Sequence, residues 1–394
     1  MKTEGKKKVR VLRILNRFNI GGPVWNVCML TKYISSDFET KLIGGKATPT
    51  EGDASSILKN LEIEAEIILP MSREVNMFLD YQSFREIKKI IRSYQPDIVH
   101  THASKAGFLG RLAAISAHVP VIVHTFHGHV FEGYFSPPKT YLIKTIERWL
   151  AKKSSAIVAI SELQKKDLTQ KYAIAPASKV HLIPLGFDLQ RFYPSTEKRQ
   201  TARQNYQLSE GTIAVGIVGR LTEIKNHNMF IQAAALVLQN EKKTHKFFIV
   251  GDGELKDALV EKVKALGIED FVVFTSWIEA IEGFYSAMDI ICLTSLNEGT
   301  PVTLIEAQAS GIPVISTNVG GVKDMVVDGE TGVILKTMED VELSETINEL
   351  SASKAQRLQM SKNAHNFVVN RFTYLRLIEN MEKLYFELTQ NDKK

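Results

Sequence analysis

Short continuous apolar runs alternate with longer amphipathic stretches along this chain, and the alternation stops once and then restarts. The first series of runs is Val9–Leu15, "ETKLIGG", "DIVHTH", "PVIVHTFHG", "AIVAIS" and "KVHLIPLG". Between them lie "GGPVWNVCMLTKYI", "SFREIKKIIRSYQ", "KAGFLGRLAAISAHV", "PPKTYLIKTIERWLAKKS" and "SELQKKDLTQKY", which read as helices. A strand that is apolar at consecutive positions is buried on both faces. Such strands separated by helices predict a parallel sheet covered on both sides.

After Asp188 the chain turns irregular and polar over "LQRFYPSTEKRQTARQNYQLSEG". The alternation then resumes with "IAVGIVG", "KFFIVGDG", "FVVFTS", "DIICLTS" and "PVISTN". A chain of 394 residues is too long for one ordinary core. The expectation is an α/β protein with two doubly wound domains, residues 1–190 and 191–371. A last segment, 372–394, holds a helix from Phe372 to Thr389. Ligands of such sheets sit at the carboxyl ends of the strands, and a cleft between two domains is the expected site.

Charge and cysteine usage exclude several classes. The net charge of +5 is too small an excess to mark a nucleic-acid binder. Part of it lies near the start, at Lys2, Lys6, Lys7, Lys8, Arg10 and Arg13. That cluster reads either as a peripheral contact with anionic lipid or as a solvated lead into the first strand. Cys28 and Cys292 are far apart in apolar surroundings, which fits neither a disulfide framework nor a zinc site. A reducing, cytoplasmic compartment is expected. No run is long and apolar enough to cross a membrane, and Arg10 and Arg13 interrupt the only one resembling a signal-peptide core.

The stretch "NEGTPVTLIEAQASG", Asn297 to Gly311, carries the sharpest chemistry. Thr300 reads as the cap of a helix whose first position is Pro301, ending near Gly311. Glu298 then precedes the helix and Glu306 lies within it. The free amides at Val302 and Thr303 form an anion site between the two acids. Without that anion, Glu298 is a solvated loop acid and Glu306 a paired core acid.

In "VGRLTEIKN", Arg220 and Lys225 share the loop after a predicted strand, a pair suited to a diphosphate or simply to the surface. Gly21 and Gly22 open a helix after the first strand, either to let a phosphate approach or to make a tight turn. His100, His102, His118, His124, His127 and His129 cluster in sequence. Few carboxylates lie nearby and there is no HExxH, so no metal is expected. His127, before Gly128, is the one singled out, at a strand end facing the expected cleft. Gly251 in "FIVGDGEL" and Trp277 with Ile278 after "FTS" are candidates to flank a base, or to pack. Phe131, Tyr134 and Phe135 in "GHVFEGYFSPP" read as a stacking surface for a sugar or lipid, or as a lid.

Taken together, "GRLTEIKN", "VGDGEL", "NEGTPVTLIEAQASGIPVISTNVGGVKDMV", "PDIVHTHASKAGFLGRLAA" and "HTFHGH" resemble the retaining GT-B glycosyltransferases of family 4, in the expected order over almost the whole chain. The spacing from Glu298 to Glu306 is that family's hallmark. The resemblance implies two Rossmann-like domains facing a central cleft, with the last helix crossing back to the first domain. It implies a nucleotide-sugar donor, taken as a UDP-sugar on family frequency, and no other cofactor or metal. The acceptor would be a glycan or lipid-linked precursor of the cell envelope, met at the inner face of the cell membrane. Reaction on one sugar face with help from the leaving phosphate comes from the resemblance too.

Carried over by residue, the resemblance puts Glu298 on the donor sugar and Glu306 on the ribose. Arg220 and Lys225 meet the diphosphate, as do the amides near Val302 and Thr303 and, from the other domain, Gly22. His127 lies beside the reaction centre. A GT-B epimerase or sugar phosphorylase and a non-catalytic nucleotide-binding module are the competing readings.

Overall fold

The computed structural model describes residues 7–19, 21–47, 53–72, 74–128, 131, 136–241 and 245–391. The chain forms two compact units: Met1–Phe187 together with Thr373–Lys394, and Asp188–Phe372. Lys2, Lys6, His129, Tyr134 and Phe135 lie outside the described residues.

The first unit runs β1 (Val9–Arg17), α1 (Gly22–Tyr33), β2 (Phe38–Gly45), α2 (Ser55–Asn60), β3 (Ala65–Ile67), α3 (Met77–Tyr94) and β4 (Ile98–His102). It continues α4 (Ser104–Ser116), β5 (Val121–Thr125), α5 (Pro137–Lys153), β6 (Ala156–Ala159), α6 (Glu162–Lys166) and β7 (Val180–Leu182). The strands form one parallel sheet in the order β3-β2-β1-β4-β5-β6-β7. Chain direction across the sheet reverses between β1 and β4, which makes that the switch point.

Two apolar layers explain the consecutive apolar runs. Leu12, Ile14 and Val99 face α3 and α4 through Ile87, Ile91, Leu109 and Ala113. Val11, Ile98, Val123 and Val158 face the other way, onto Leu377, Met381 and Leu384 of the last helix. α3 begins six residues earlier than the pattern predicts, because the Asn76 side chain accepts from the amides of Phe78 and Leu79.

Arg13 departs from the expected basic start. It is fully buried in β1, and Arg10 spends its guanidinium on the Tyr94 carbonyl at 2.8 Å. Neither belongs to a free cationic arm. The period of a strand decides this: Arg13 falls on the α1 face, among His100, His102 and Tyr385.

The second unit opens with α7 (Thr196–Asn205), then β8 (Ile213–Val218), α8 (His227–Glu241), β9 (His245–Val250), α9 (Lys256–Ala265) and β10 (Val272–Thr275). There follow α10 (Ile281–Ala287), β11 (Ile290–Leu293), α11 (Val302–Ala309), β12 (Val314–Ser316), α12 (Val322–Met325), β13 (Gly332–Ile334), α13 (Asp340–Ala352) and α14 (Lys354–Phe372). Its parallel sheet has the order β10-β9-β8-β11-β12-β13, with the switch point between β8 and β11. α15 (Tyr374–Asn391) belongs to the first unit. Both units are Rossmann-like.

The polar stretch after Asp188 holds a helix where an irregular linker is expected. Ser195 caps α7 by accepting from the Lys198 amide. Arg199 and Arg203 then clamp Asp289 at 2.6 and 3.0 Å and take up the carbonyls of Ala287 and Met288 behind α10. The helix has little apolar character, and tertiary ion pairs stabilise it instead. No helix among the described residues is long and apolar enough to cross a membrane.

Candidate functional site

In the second unit, three loops at the carboxyl ends of adjacent strands are tied together. The loop after β11 donates from Thr294 Oγ1 to the carbonyls of Lys225 and Asn226, and from the Leu296 amide to Ile224. The loop after β12 donates from Thr317 Oγ1 to the Ser295 carbonyl, and from the Gly321 amide to Glu298. Gly320 has a positive φ of 49°, and a Cβ there would overlap the Glu298 carbonyl oxygen. Only glycine lets these two backbones meet.

These ties bring Lys225 onto Glu298. The ammonium lies 2.5 Å from Glu298 Oε1, and Ser295 Oγ donates to the same oxygen at 2.6 Å. Both contacts fall on Oε1, so Oε2 is left for another donor. The carboxylate side chain is 10% exposed. Lys225 is thus paired inside the protein rather than standing free. Arg220, on the same loop, is exposed, and its guanidinium has no partner among the described residues.

α11 starts at Val302, with Pro301 in the cap position and no side chain capping its amides. Thr300 is therefore not the cap, and its hydroxyl is buried without a partner. Pro301 takes an extended conformation, which sets Thr300 one position too early to reach the second and third amides. The first-turn amides of Val302 and Thr303 have no carbonyl within their helix to bond.

Glu306 faces α10, where Tyr285 donates to its Oε2 at 3.1 Å. Burial pushes this carboxyl up to about 7, against the pull of the Tyr285 hydrogen bond and the Arg191 cation. Near neutral pH it therefore exists in both protonation states. Tyr285 is the partner that sequence reasoning missed. Only α10 packing beside α11 reveals it.

Gly251 lies where β9 ends, with φ 140° and no room for a Cβ beside the Gly219 carbonyl. The Trp277 ring stands in van der Waals distance of that position and is 58% exposed. Ile278 is half-buried. Gly251 and Trp277 stand together at the strand ends beside Gly219, whereas Ile278 lines a cavity with Ala202 and Tyr206 near α7 and Phe284 of α10.

In the first unit, His100, His102 and His124 are fully buried, and His127 is half-buried. His102 Nδ1 and His127 Nε2 are 3.1 Å apart. Burial drives the His102 ring well below its ordinary range and His127 down to about 4. Both are neutral at pH 7, so one N–H is shared between them and each ring sets the other's tautomer. His127 Nδ1 and His102 Nε2 have no protein partner. His100 spans from the Tyr385 hydroxyl (2.6 Å) to Thr125 Oγ1 (2.7 Å), which fixes α15 to the sheet. His118, at the end of α4, stands apart from this group with φ 55°.

Gly21 immediately precedes α1 and Gly22 is its first residue, and no protein atom crowds their Cβ positions. The fold itself does not demand glycine at either. Phe131 packs into the core against Phe126 and Tyr172 instead of presenting a stacking surface. Cys28 and Cys292 are buried and unpaired, and burial pushes the Cys28 thiol up to about 12. Among the described residues, no three His, Cys, Asp or Glu side chains gather around a metal position.

Comparison with known proteins agrees over nearly the whole chain. Residues 198–367 match the family described as glycosyl transferases group 1, and residues 20–191 match Glycosyltransferase Family 4. The chain is 29% identical over 331 residues to the UDP-Gal:alpha-D-GlcNAc-diphosphoundecaprenol alpha-1,3-galactosyltransferase of Escherichia coli, covering 84% of this chain and 85% of that protein. It is 27% identical over 336 residues to the capsular polysaccharide biosynthesis glycosyltransferase CapM of Staphylococcus aureus, covering 83% and 86%. Its fold is similar to Anabaena Alr3699/HepE in complex with UDP, with TM-score 0.81, 20% identity and coverage of 96% and 100%. It is also similar to WaaG, with TM-score 0.70, 17% identity and coverage of 95% and 99%.

Proposed function

We propose that this chain, which belongs to the family 4, group 1 glycosyltransferases, moves a sugar from a UDP-sugar to a lipid-linked or glycan acceptor in cell-envelope polysaccharide synthesis, with retention and without a metal. The observation that carries this reading is the Lys225–Glu298 pair at the switch point, beside the free cation of Arg220 and the uncapped amides of α11. The E. coli relative is named for a UDP-Gal donor and a diphosphoundecaprenol acceptor, which favours those two classes.

Sugar transfer puts charge on a departing diphosphate. Donors fixed in advance where that charge develops stabilise the transition state without reorganising. In this reading Arg220 and Lys225 take the phosphate oxygens, with the amides of Val302 and Thr303 behind them. Glu298 Oε1 holds Lys225 in place while Oε2 receives a hydroxyl of the donor sugar. Glu306 takes the ribose hydroxyls in its ionised form, and Gly251, Trp277 and Ile278 flank the base. His127 offers its unpartnered Nδ1 to the sugar, and Gly21 and Gly22 leave space for the diphosphate.

The test is turnover. The protein is incubated with UDP-galactose, UDP-glucose or UDP-N-acetylglucosamine and a polyprenyl-diphosphate-linked N-acetylglucosamine, with and without EDTA. UDP release together with a new glycan of retained anomeric configuration is expected. A change in the donor sugar without acceptor would instead indicate an epimerase. Tight UDP binding with no turnover on any acceptor would indicate a non-catalytic nucleotide-binding module.

A further inference from the structure

The amino edge of the second sheet carries cations that sugar transfer leaves unused. Lys225, Glu298 and Gly320 stand at the carboxyl edge, where ligands of such sheets sit. At the opposite edge, Asp289 immediately precedes β11 and Pro313 immediately precedes β12. Both line a cavity of about 410 Å³, closed by the first turns of α7 and α14 and the ends of α10 and α11. A second cavity, of about 470 Å³, shares Arg199, Asp289, Lys354 and Arg357 with the first. Every lining residue of both belongs to the second unit.

In the first cavity three cations face a single acid. Asp289 is already divided: Arg199 donates to its Oδ1 at 2.6 Å, and Arg203 and the Ala214 amide donate to its Oδ2 at 3.0 and 2.8 Å. Arg357 reaches no acid. Its Nη1 donates to the carbonyls of Leu350 and Ser351 at the end of α13, and its Nε and Nη2 have no partner among the described residues. Lys354 is exposed and makes no ion pair among the described residues. Burial draws the Arg357 guanidinium below its ordinary pKa, with the Asp289 charge opposing and the Arg199 charge adding. Two guanidiniums partly withdrawn from water and within each other's field are costly until an anion joins them.

The rest of the wall supplies hydroxyls. Ser286 and Ser310 donate to the carbonyls of Glu282 and Glu306 at 2.8 and 3.0 Å, which leaves their oxygens as acceptors. Ser361 also lines the cavity, and its hydroxyl has no partner among the described residues. Guanidinium forks beside an ammonium suit a phosphate group. Serine oxygens suit hydroxyls carried on the same molecule, and a space of this size takes a small one.

We infer that this cavity is a binding site for a small hydroxylated phosphate ester, separate from the donor site at the other edge of the sheet. It does not depend on the transfer reading.

Calorimetric titration of the full chain at fixed ionic strength tests it, with glucose 1-phosphate, glucose 6-phosphate, glycerol 3-phosphate and inorganic phosphate as probes. At least one ester should bind at one site per chain, more tightly than inorganic phosphate. Lys354→Glu, at an exposed position, should keep the wild-type circular dichroism and weaken that binding about tenfold or more. Arg357→Gln should weaken it as well, and where this variant fails to fold Lys354→Glu decides alone. Arg220→Ala, at the carboxyl edge, should bind the ester as the wild type does. Absence of binding by every probe at millimolar concentration overturns the inference, as does binding that Lys354→Glu leaves unchanged. So does binding lost in Arg220→Ala, because the probe then occupies the donor site. Inorganic phosphate binding as tightly as every ester overturns the assignment to an ester, because the serines then add nothing.

Discussion

Glu298 Oε1 receives both the Lys225 ammonium and the Ser295 hydroxyl, so one carboxylate oxygen joins two loops that follow neighbouring strands. The second oxygen is not used in this way. This division lets one acid position a cation and still meet a substrate hydroxyl. Glu298→Gln weakens the grip on Lys225 but keeps the shape. It should lower kcat on the order of 10²–10³-fold, as loss of one prearranged charge contact does. Lys225→Ala should cost a similar factor. The double variant should lose less than the product of the two, because the residues act as a unit. Steady-state kinetics on all four proteins measure this, and full additivity would count against the pairing.

Glu306 should make nucleotide binding depend on pH. Its folded pKa of about 7 lies above the unfolded value near 4.5. Between those values the folded state keeps a proton that the unfolded state has released. Stability from this group therefore falls as pH rises through that window. The total is on the order of 3 kcal/mol, at about 1.4 kcal/mol per pH unit of displacement. Glu306→Gln should remove the dependence and raise the thermal midpoint at pH 8. The same change should weaken UDP binding, read by calorimetry. A variant no more stable than wild type at pH 8 would show that the carboxyl ionises without penalty.

The histidines act with the opposite sign. Burial lowers His100, His102, His124 and His127 below their ordinary values. The unfolded chain then binds more protons than the folded one. Stability is full above the ordinary histidine range and is lost as pH falls below it, for His127 down through about 4. Four such groups outweigh the one carboxyl, so the thermal midpoint should drop steeply between pH 6.5 and 5. His102→Gln should make that slope shallower. It should also change the His127 tautomer seen by ¹⁵N NMR, since His102 Nδ1 is its partner at 3.1 Å. An unchanged His127 spectrum would mean that the two rings do not set each other's protons.

Gly320→Ala should harm the site more than the fold. The new Cβ meets the Glu298 carbonyl, and the residue already has a positive φ. Relief requires the loop carrying Glu298 to move away from β12. A loss of kcat of about tenfold or more is expected, since small misplacements of catalytic groups carry costs of that order. Gly128→Ala, at a positive φ with open space around it, serves as the comparison. Circular dichroism and kinetics on both variants separate backbone strain from the Glu298 contact.

The sequence by itself determined the two parallel sheets, the helix that follows Glu298, and the residue types gathered at the strand ends. These are local matters. Apolar runs, turn glycines and the 3.6-residue helix period report which face of a segment is buried, whatever it packs against. The pairings were not local. Lys225 and Glu298 are 73 residues apart and meet because β8 and β11 become neighbours when the strand order reverses. Tyr285 reaches Glu306 only through the packing of α10 beside α11. Arg13, one of several cations near the start, was assigned to the interior by the register of β1. α7, too polar to announce itself, was set by Asp289 across the unit. A charged side chain has the same spelling whether it faces solvent or a buried partner. The tertiary structure decides between them, because desolvation and partner geometry exist only once the chain is folded.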